Sequence, residues 1–393
     1  MTDNYDIIII GAGIAGLYCG IRLAEAGRSV CIIDRKKEIG LPVRCGEATG
    51  NRKELSRFID IDESWIARDF HGLAVHFNGK KSLAKDIPEC GVMLYRDRFE
   101  RALSEKAREK GAQIRLNTNA EGLMYNQEDC NGVVLDSGEE IVGTVIIGAD
   151  GVESKIGRLA GITEVLALRD AFSSLQYRIE SDFCNDEYLH FFIGSLVIPG
   201  GYIWVFPKSD SEINIGAGLY RGNTGLHGVR HLLDRFIAEQ IPRAQKRNLI
   251  TGCVPLAVCP AILAKDNVVV VGDAARQVNP LTAGGIMNAL EAADLAVGAI
   301  LNNKPAVDTG RINREYSRVW RKTQRRYQKM FYLCKEMFLD CSDKDINLLL
   351  QKVEKFYTKA DRSTPFTFPL ITFLRIAILF LPKMIKHLRV LFR

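Results

Sequence analysis

The chain has 393 residues, 47% of them hydrophobic and 25% charged, with a formal net charge of +6. This composition excludes a disordered chain and a wholly membrane-embedded one, and the length allows two or three domains of roughly 100–200 residues. The charge is modest and no nucleic-acid-binding signature accompanies it, so no nucleic-acid partner is expected. The 10 cysteines show no CxxC pair and no metal-ligand spacing. With no secretory leader before the first apolar run, a reducing, cytoplasmic setting is expected, with no metal site and most thiols in the core.

The first element pattern is YDIIIIGAGIAGLYCGIRLAEAGRSVCIID, residues 5 to 34. Its continuous apolar runs predict parallel strands buried on both faces, joined by a glycine turn and a helix. Gly11 permits the turn, Gly13 lets backbone N–H groups approach a pyrophosphate, and Gly16 allows the helix to pack close to the strand. Asp34 ends the second strand where a carboxylate can accept hydrogen bonds from a ribose diol, which favours FAD or NAD over NADP. Ala15 in the turn and Arg35 after the acid complete the expected cofactor contacts at this end.

Next comes GLPVRCGEATG, residues 40 to 50, a stretch of turn formers with Cys45 between Arg44 and Gly46. The arginine would favour a thiolate. Asn78-Gly79 signals a hairpin, and residues 95–114 read as an amphipathic helix with Phe99, Leu103 and Ala107 on its apolar face. Residues 144–161 form an apolar strand ending in Gly148-Ala149-Asp150-Gly151. Alternating strands follow at 171–182, 187–194, 201–208 and 212–220. In them Tyr202, Trp204 and Phe206 share one sheet face, followed by Pro207. Gly216 and Gly218 on the returning strand are expected to leave room for a bulky ligand against that wall. Residues 267–296 give another apolar strand, Gly272-Asp273, a turn at Pro280, then Gly284, Gly285 and a helix opening at Ile286.

Beyond residue 300 the pattern is helical. Tyr316, Trp320, Thr323, Tyr327, Met330, Phe331, Cys334 and Phe338 form one expected stripe, with arginines opposite. The last stretch, residues 366–393, is apolar from Leu370 to Leu381 except at Thr372 and Arg375. A spanning helix needs about 20 apolar residues, so an interfacial tail fits better, with Lys383, Lys386 and Arg389 toward anionic headgroups.

The opening unit and the segments at 144–161 and 267–296 together resemble the flavoprotein superfamily that includes para-hydroxybenzoate hydroxylase. The resemblance implies FAD as cofactor. Asp150 and Gly151 would support it, Asp273 would bind its ribitol or ribose, and Pro280, Gly284, Gly285 and Ile286 would bring a helix N-terminus near the flavin. Arg98 falls at the superfamily's helix-start arginine, although Arg96 is equally basic. The aromatic-x-Trp-x-Phe-Pro segment with its Gly-x-Gly, and PVRCGE at 42–47, resemble the geranylgeranyl reductase family, and the cysteine-containing version looks most like the archaeal-type lipid reductases.

That resemblance implies an α/β fold with a Rossmann-like FAD-binding domain (1–71, 94–165, 255–305), an antiparallel sheet as substrate domain (72–93, 166–254) and a helical C-terminal region (306–393). It implies saturation of C=C bonds in geranylgeranyl or other polyprenyl chains, by hydride from reduced flavin plus a proton. Cys45 and Glu47 are candidate catalytic residues, together with water near Gly284. Arg44, Cys45 and Gly46 count among the cofactor contacts, and Tyr202, Trp204, Phe206, Pro207, Gly216 and Gly218 bind substrate. The expected partners are a prenyl lipid, a membrane surface and an electron donor of ferredoxin, F420 or NAD(P)H type. An aromatic monooxygenase, or a flavoprotein that binds prenyl lipid without reducing it, are the alternatives.

Overall fold

A computed structural model describes residues 4–220, 225–303 and 308–359. In chain order the elements are β1 (Asn4–Ile10), α1 (Ile14–Glu25), β2 (Val30–Ile33), β3 (Ala48–Thr49), α2 (Arg52–Leu55), β4 (Ile66–Phe77), β5 (Lys80–Leu94), α3 (Arg96–Glu109) and β6 (Gln113–Arg115). They continue with β7 (Ala120–Asn126), β8 (Asp129–Leu135), β9 (Glu140–Gly148), α4 (Lys155–Leu159), β10 (Ala171–Glu180), β11 (Tyr188–Gly194), β12 (Ile198–Pro207), β13 (Glu212–Leu219) and α5 (Gly225–Gln240). The last are β14 (Gln245–Pro255), β15 (Ala264–Lys265), β16 (Val268–Val270), α6 (Ile286–Leu301), α7 (Thr309–Trp320), α8 (Arg326–Leu339) and α9 (Asp343–Lys359).

The chain folds as two compact units. Of the described residues, the first takes those up to Val43, Arg96–Ala167 and Val254–Gln328, and the second takes Arg44–Tyr95, Leu168–Cys253 and those from Lys329 to Lys359. The expected boundaries therefore move. Residues 44–71 belong with the second unit because β3 and β4 both pair with β5. Nor is the C-terminal region a unit of its own, since packing divides it at Gln328.

The first unit's sheet runs β15-β16-β9-β1-β2-β6, with β7 and β8 continuing from β9. β1 lies parallel to both β2 and β9, and Ile8 and Ile9 of β1 with Ile32 and Ile33 of β2 are fully buried, as a parallel sheet covered on both faces requires. The second unit's sheet runs β14-β10-β13-β12-β11-β4-β5-β3. From β10 to β3 its neighbours are antiparallel except β4 and β11, which run parallel because the chain leaves this sheet after β5 and re-enters it much later. Asn78 and Gly79 make the expected hairpin turn between β4 and β5, both with positive φ (48° and 83°).

One face of the second sheet packs on α5. Ile203 and Val205 of β12 and Ile213, Ile215 and Ala217 of β13 form a core with Val229, Leu233, Phe236 and Ile237. Strand alternation turns Tyr202, Trp204 and Phe206 to the opposite face.

The expected apolar stripe beyond residue 306 is only half right. Tyr316 and Trp320 are buried, but Tyr327 is exposed, and Gln328, Tyr332 and Lys335 occupy the buried positions in its place. A π-helical turn at Arg321–Arg325 inserts one residue and advances the inward face by one position.

Candidate active site

In the first unit the glycine turn is built to pattern. A Cβ on Gly11, whose φ is 113°, would lie 2.2 Å from the Ala149 carbonyl oxygen, and one on Gly16 would lie 1.9 Å from the Gly11 carbonyl oxygen. These two close approaches fasten α1 against β1 and β9. Gly13 differs: a Cβ there would meet nothing within 4 Å. Ala15 is buried beneath the turn, 3.2 Å from where a Gly272 Cβ would sit. Asp34 is buried, and its carboxylate accepts hydrogen bonds from the Ala12 N–H (2.6 Å) and the Lys36 N–H (2.8 Å), holding the turn to the end of β2. Arg35 is exposed and forked onto Glu153 at 2.9 and 3.2 Å.

Asp150 directs one carboxylate oxygen to the Ile156 N–H at 2.9 Å, while the other is buried without a partner. Burial pushes this carboxyl above its ordinary range. Gly151 follows with φ 77° and open space where a Cβ would be. Asp273 lies in a 3-10 turn, Gly272–Ala275, with its Oδ1 3.4 Å from where a Cβ on Gly285, the N-cap of α6, would lie. Burial raises its carboxyl too, against the opposing fields of Arg96 and Arg276. Of the two arginines weighed for this region, Arg96 is the one whose charge reaches Asp273, whereas Arg98 is exposed. Pro280 is buried, the Asn279 N–H closes the turn onto the Gly284 carbonyl at 2.9 Å, and Gly285 caps α6 ahead of Ile286.

These features fit FAD. An unfilled glycine turn at a helix N-terminus suits a pyrophosphate. A buried Asp150 oxygen without a partner suits a hydroxyl or ring N–H donor that the described residues do not supply.

In the second unit the loop of Cys45 leads into β3. Cys45 is half-buried and a free thiol; its Sγ accepts a hydrogen bond from the Glu47 N–H at 3.2 Å, and its carbonyl accepts one from Gln176 Nε2 at 3.1 Å. Gln176 in turn accepts from the Trp204 indole N–H at 2.9 Å. A Cβ on Gly46 would lie 3.2 Å from the Phe206 ring and 3.7 Å from Trp204 Nε1, so the loop lies directly on the aromatic face. Arg44 is exposed and has no side-chain partner among the described residues.

Glu47 is fully buried with φ 70°. Its Oε2 receives Lys208 Nζ at 2.5 Å, Asn214 Nδ2 at 2.7 Å and an Arg178 guanidinium nitrogen at 3.3 Å. Lys208 is itself fully buried, with its ammonium 4.8 Å from the Tyr95 ring centroid. Burial lowers its pKa, and the Glu47 charge opposes that shift.

The aromatic face extends beyond the sequence signature. Tyr202 stacks on Phe172 with centroids 5.2 Å apart, and Phe191 meets Tyr202 and Phe206 edge-on at 5.9 and 5.5 Å. Burial raises the Tyr202 phenol. The expected vacancy over Gly216 and Gly218 is corrected. A Cβ on Gly216 would strike the Trp204 ring at 2.1 Å, and one on Gly218 the Phe172 ring at 2.0 Å. Trp204 pairs across the strands with Gly216, so the room those glycines leave is filled by the protein's own rings. Pro207 is buried at the end of β12.

Sequence reasoning missed Gln176, Arg178, Lys208, Asn214, Phe172 and Phe191. Lys208 directly follows Pro207 and Asn214 lies two residues before Gly216. With the signature already in view, a lysine and an asparagine at strand positions bordering an aromatic face were the available signal.

The chain matches the FAD binding domain family over residues 4–206 and the geranylgeranyl reductase catalytic domain family over residues 170–255. It is 36% identical to a digeranylgeranylglycerophospholipid reductase of Methanosarcina acetivorans, across 90% of each chain, and 34% identical to one of Methanothrix thermoacetophila, across 98% of each. A solved geranylgeranyl bacteriochlorophyll reductase-like protein of Thermoplasma acidophilum is 28% identical, with a TM-score of 0.86 over 99% of both chains. A single-residue mutant of the halogenase PltM in complex with FAD, at 18% identity and a TM-score of 0.66 over 91% of this chain and 84% of that one, shares the fold alone. The protein is therefore a flavoprotein, an oxidoreductase that uses FAD. Within that class it belongs to the geranylgeranyl reductase family, together with the digeranylgeranylglycerophospholipid reductases.

Proposed function

We propose that the chain saturates C=C bonds in geranylgeranyl chains of membrane lipids or their precursors, and that the Cys45 loop and the aromatic face of the second sheet form the substrate side of the reaction. The observation that carries this reading is the direct packing of Gly46 on Phe206 and Trp204, which puts the loop and an apolar, aromatic surface in one place. Reduced FAD, when bound, supplies a hydride for one alkene carbon. The protein's residues provide the rest. Gly13, Asp34, Asp150, Asp273 and the α6 N-terminus hold the cofactor, with Ala15, Gly151, Pro280, Gly284 and Gly285 shaping its cradle. Tyr202, Trp204, Phe206, Phe172 and Phe191 exclude water and hold the chain, and Cys45 is the candidate donor of the proton that completes the second carbon.

An isolated alkene is a poor electrophile, so orientation and dryness count for more than polarisation. The electrons come from an external donor of ferredoxin, F420 or nicotinamide type. We assign the tail at 366–393, which lies outside the described residues, to peripheral attachment at the membrane; none of the described helices is long and apolar enough to cross one. Expression in a host that makes unsaturated prenyl lipids tests the reading. Lipid masses rising in two-hydrogen steps support it, and unchanged or oxygen-bearing lipids sink it. Deleting residues 366–393 should shift the protein from the membrane fraction to the supernatant, and an unchanged distribution would remove the tail assignment.

A further inference from the structure

Of the two groups the sequence offered as catalytic, only Cys45 has an accessible side chain; the Glu47 carboxylate is shut inside the sheet. We infer that Glu47 is a positioning residue, locked by Lys208 and Asn214 in the left-handed conformation that aims its own backbone N–H at the Cys45 sulfur. The inference rests on the reading that the Cys45 loop belongs to the reaction site. A non-glycine residue at φ 70° is strained and persists only where its surroundings hold it. The hold is visible. Lys208 at 2.5 Å, Asn214 at 2.7 Å and Arg178 at 3.3 Å all converge on one carboxylate oxygen, and the Leu94 N–H donates to the Glu47 carbonyl at 3.0 Å.

The lock draws on both ends of the signature, since Lys208 follows Pro207 and Asn214 precedes Gly216. Asn214 also reaches the Gly46 carbonyl at 3.4 Å, and Gln176 holds the Cys45 carbonyl, so consecutive residues of the loop are tied to the sheet. The outcome is one N–H fixed 3.2 Å from the sulfur. Such a donor holds the sulfur in one place and would stabilise the charge left there when its proton is given to the alkene. Replacing a buried ion pair as a pair is often tolerated, whereas removing one partner strands the other charge. The pair's local consequence for Cys45 is thus separable from its contribution to stability.

The test uses the full-length, FAD-loaded protein and iodoacetamide, with Cys45 alkylation followed by peptide mass spectrometry. The readout is the rate at pH 7 divided by the rate at pH 10, which cancels changes in access to the sulfur. Lys208→Met and the double variant Glu47→Gln/Lys208→Met should lower that ratio about tenfold, the scale expected for losing one hydrogen bond to a charged group. Exposed Cys253 should keep its ratio, and buried Cys31 should stay protected. An unchanged Cys45 ratio in variants that still protect Cys31 overturns the inference. So does loss of Cys31 protection in the double variant, which would make the pair a folding element alone. Neither result depends on any lipid, so this failure is distinct from failure of the proposed reaction.

Discussion

Two pairs of glycines, one in each unit, serve opposite ends. At Gly13 and Gly151 in the first unit the missing side chain leaves open space. At Gly216 and Gly218 in the second, the space is already occupied by the rings of Trp204 and Phe172. At Gly13 and Gly151, omitting a side chain leaves room of the kind a ligand could use. At Gly216 and Gly218 it lets large aromatic rings lie close against the neighbouring strand. The same one-letter signal therefore carries two meanings, and only the neighbouring side chains separate them.

Substitutions can break this contrast. The largest effect is expected inside the first unit, between two glycines of one turn. Gly16→Ala puts a Cβ 1.9 Å from a backbone oxygen and should yield little folded protein. Gly13→Ala should leave the melting temperature of the apoprotein unchanged yet weaken FAD binding by about 2–3 kcal/mol, roughly a hundredfold. Titration of the refolded apoprotein with FAD checks it, and wild-type affinity would show that the space at Gly13 is not the cofactor's. Next comes Gly216→Ala, whose Cβ meets the Trp204 ring. It should cost about 3 kcal/mol by overpacking, with FAD bound per folded chain unchanged. Denaturant unfolding reads the first part and flavin absorbance the second; intact stability would mean the ring has somewhere else to go.

Asp150→Asn sharpens the comparison from the electrostatic side. Burial raises the folded-state value of this carboxyl above its unfolded one, so the native protein holds the proton more tightly. Stability then falls as pH rises through the window between the two values, and the full penalty is present at pH 7. The asparagine lacks that penalty. The apoprotein should gain about 1 kcal/mol at pH 7, a rise of about 2 °C in melting temperature, and the gain should shrink as pH drops toward the ordinary carboxyl range. FAD affinity should fall in the same variant. An effect of similar size and opposite sign, a loss of about 1 kcal/mol, is expected for Trp204→Phe, which keeps a ring over Gly216 but leaves Gln176 Oε1 without its indole donor. Thermal unfolding at pH 7 checks both.

Much of the first unit was legible because its constraints are local. Ile7–Ile10, the glycine turn and Asp34 are close in sequence, and each element's burial follows from its own composition. The turn at Asn78-Gly79 was readable for the same reason. What escaped depends on contacts far apart in the chain. Glu47 meets Lys208 and Asn214 across 161 and 167 residues, and nothing near Glu47 announces its burial. The stripe after Tyr316 failed differently: a single π turn shifts helical phase, so a period read correctly at Tyr316 and Trp320 points to the wrong side by Tyr327. Local sequence puts residues 44–71 with the cofactor domain, whereas strand pairing over long separations joins β3 and β4 to the second sheet.

In the proposed reaction, reduced FAD on this chain delivers its electrons to a prenyl C=C bond. The most direct measurement is anaerobic. The FAD-loaded protein, reduced with dithionite and freed of excess reductant, is mixed with a geranylgeranyl glycerolipid while flavin absorbance and lipid mass are followed together. The prediction is one two-hydrogen mass increase for each flavin reoxidised. Flavin that stays reduced until oxygen is admitted, with the lipid unchanged or carrying a new oxygen atom, would contradict it.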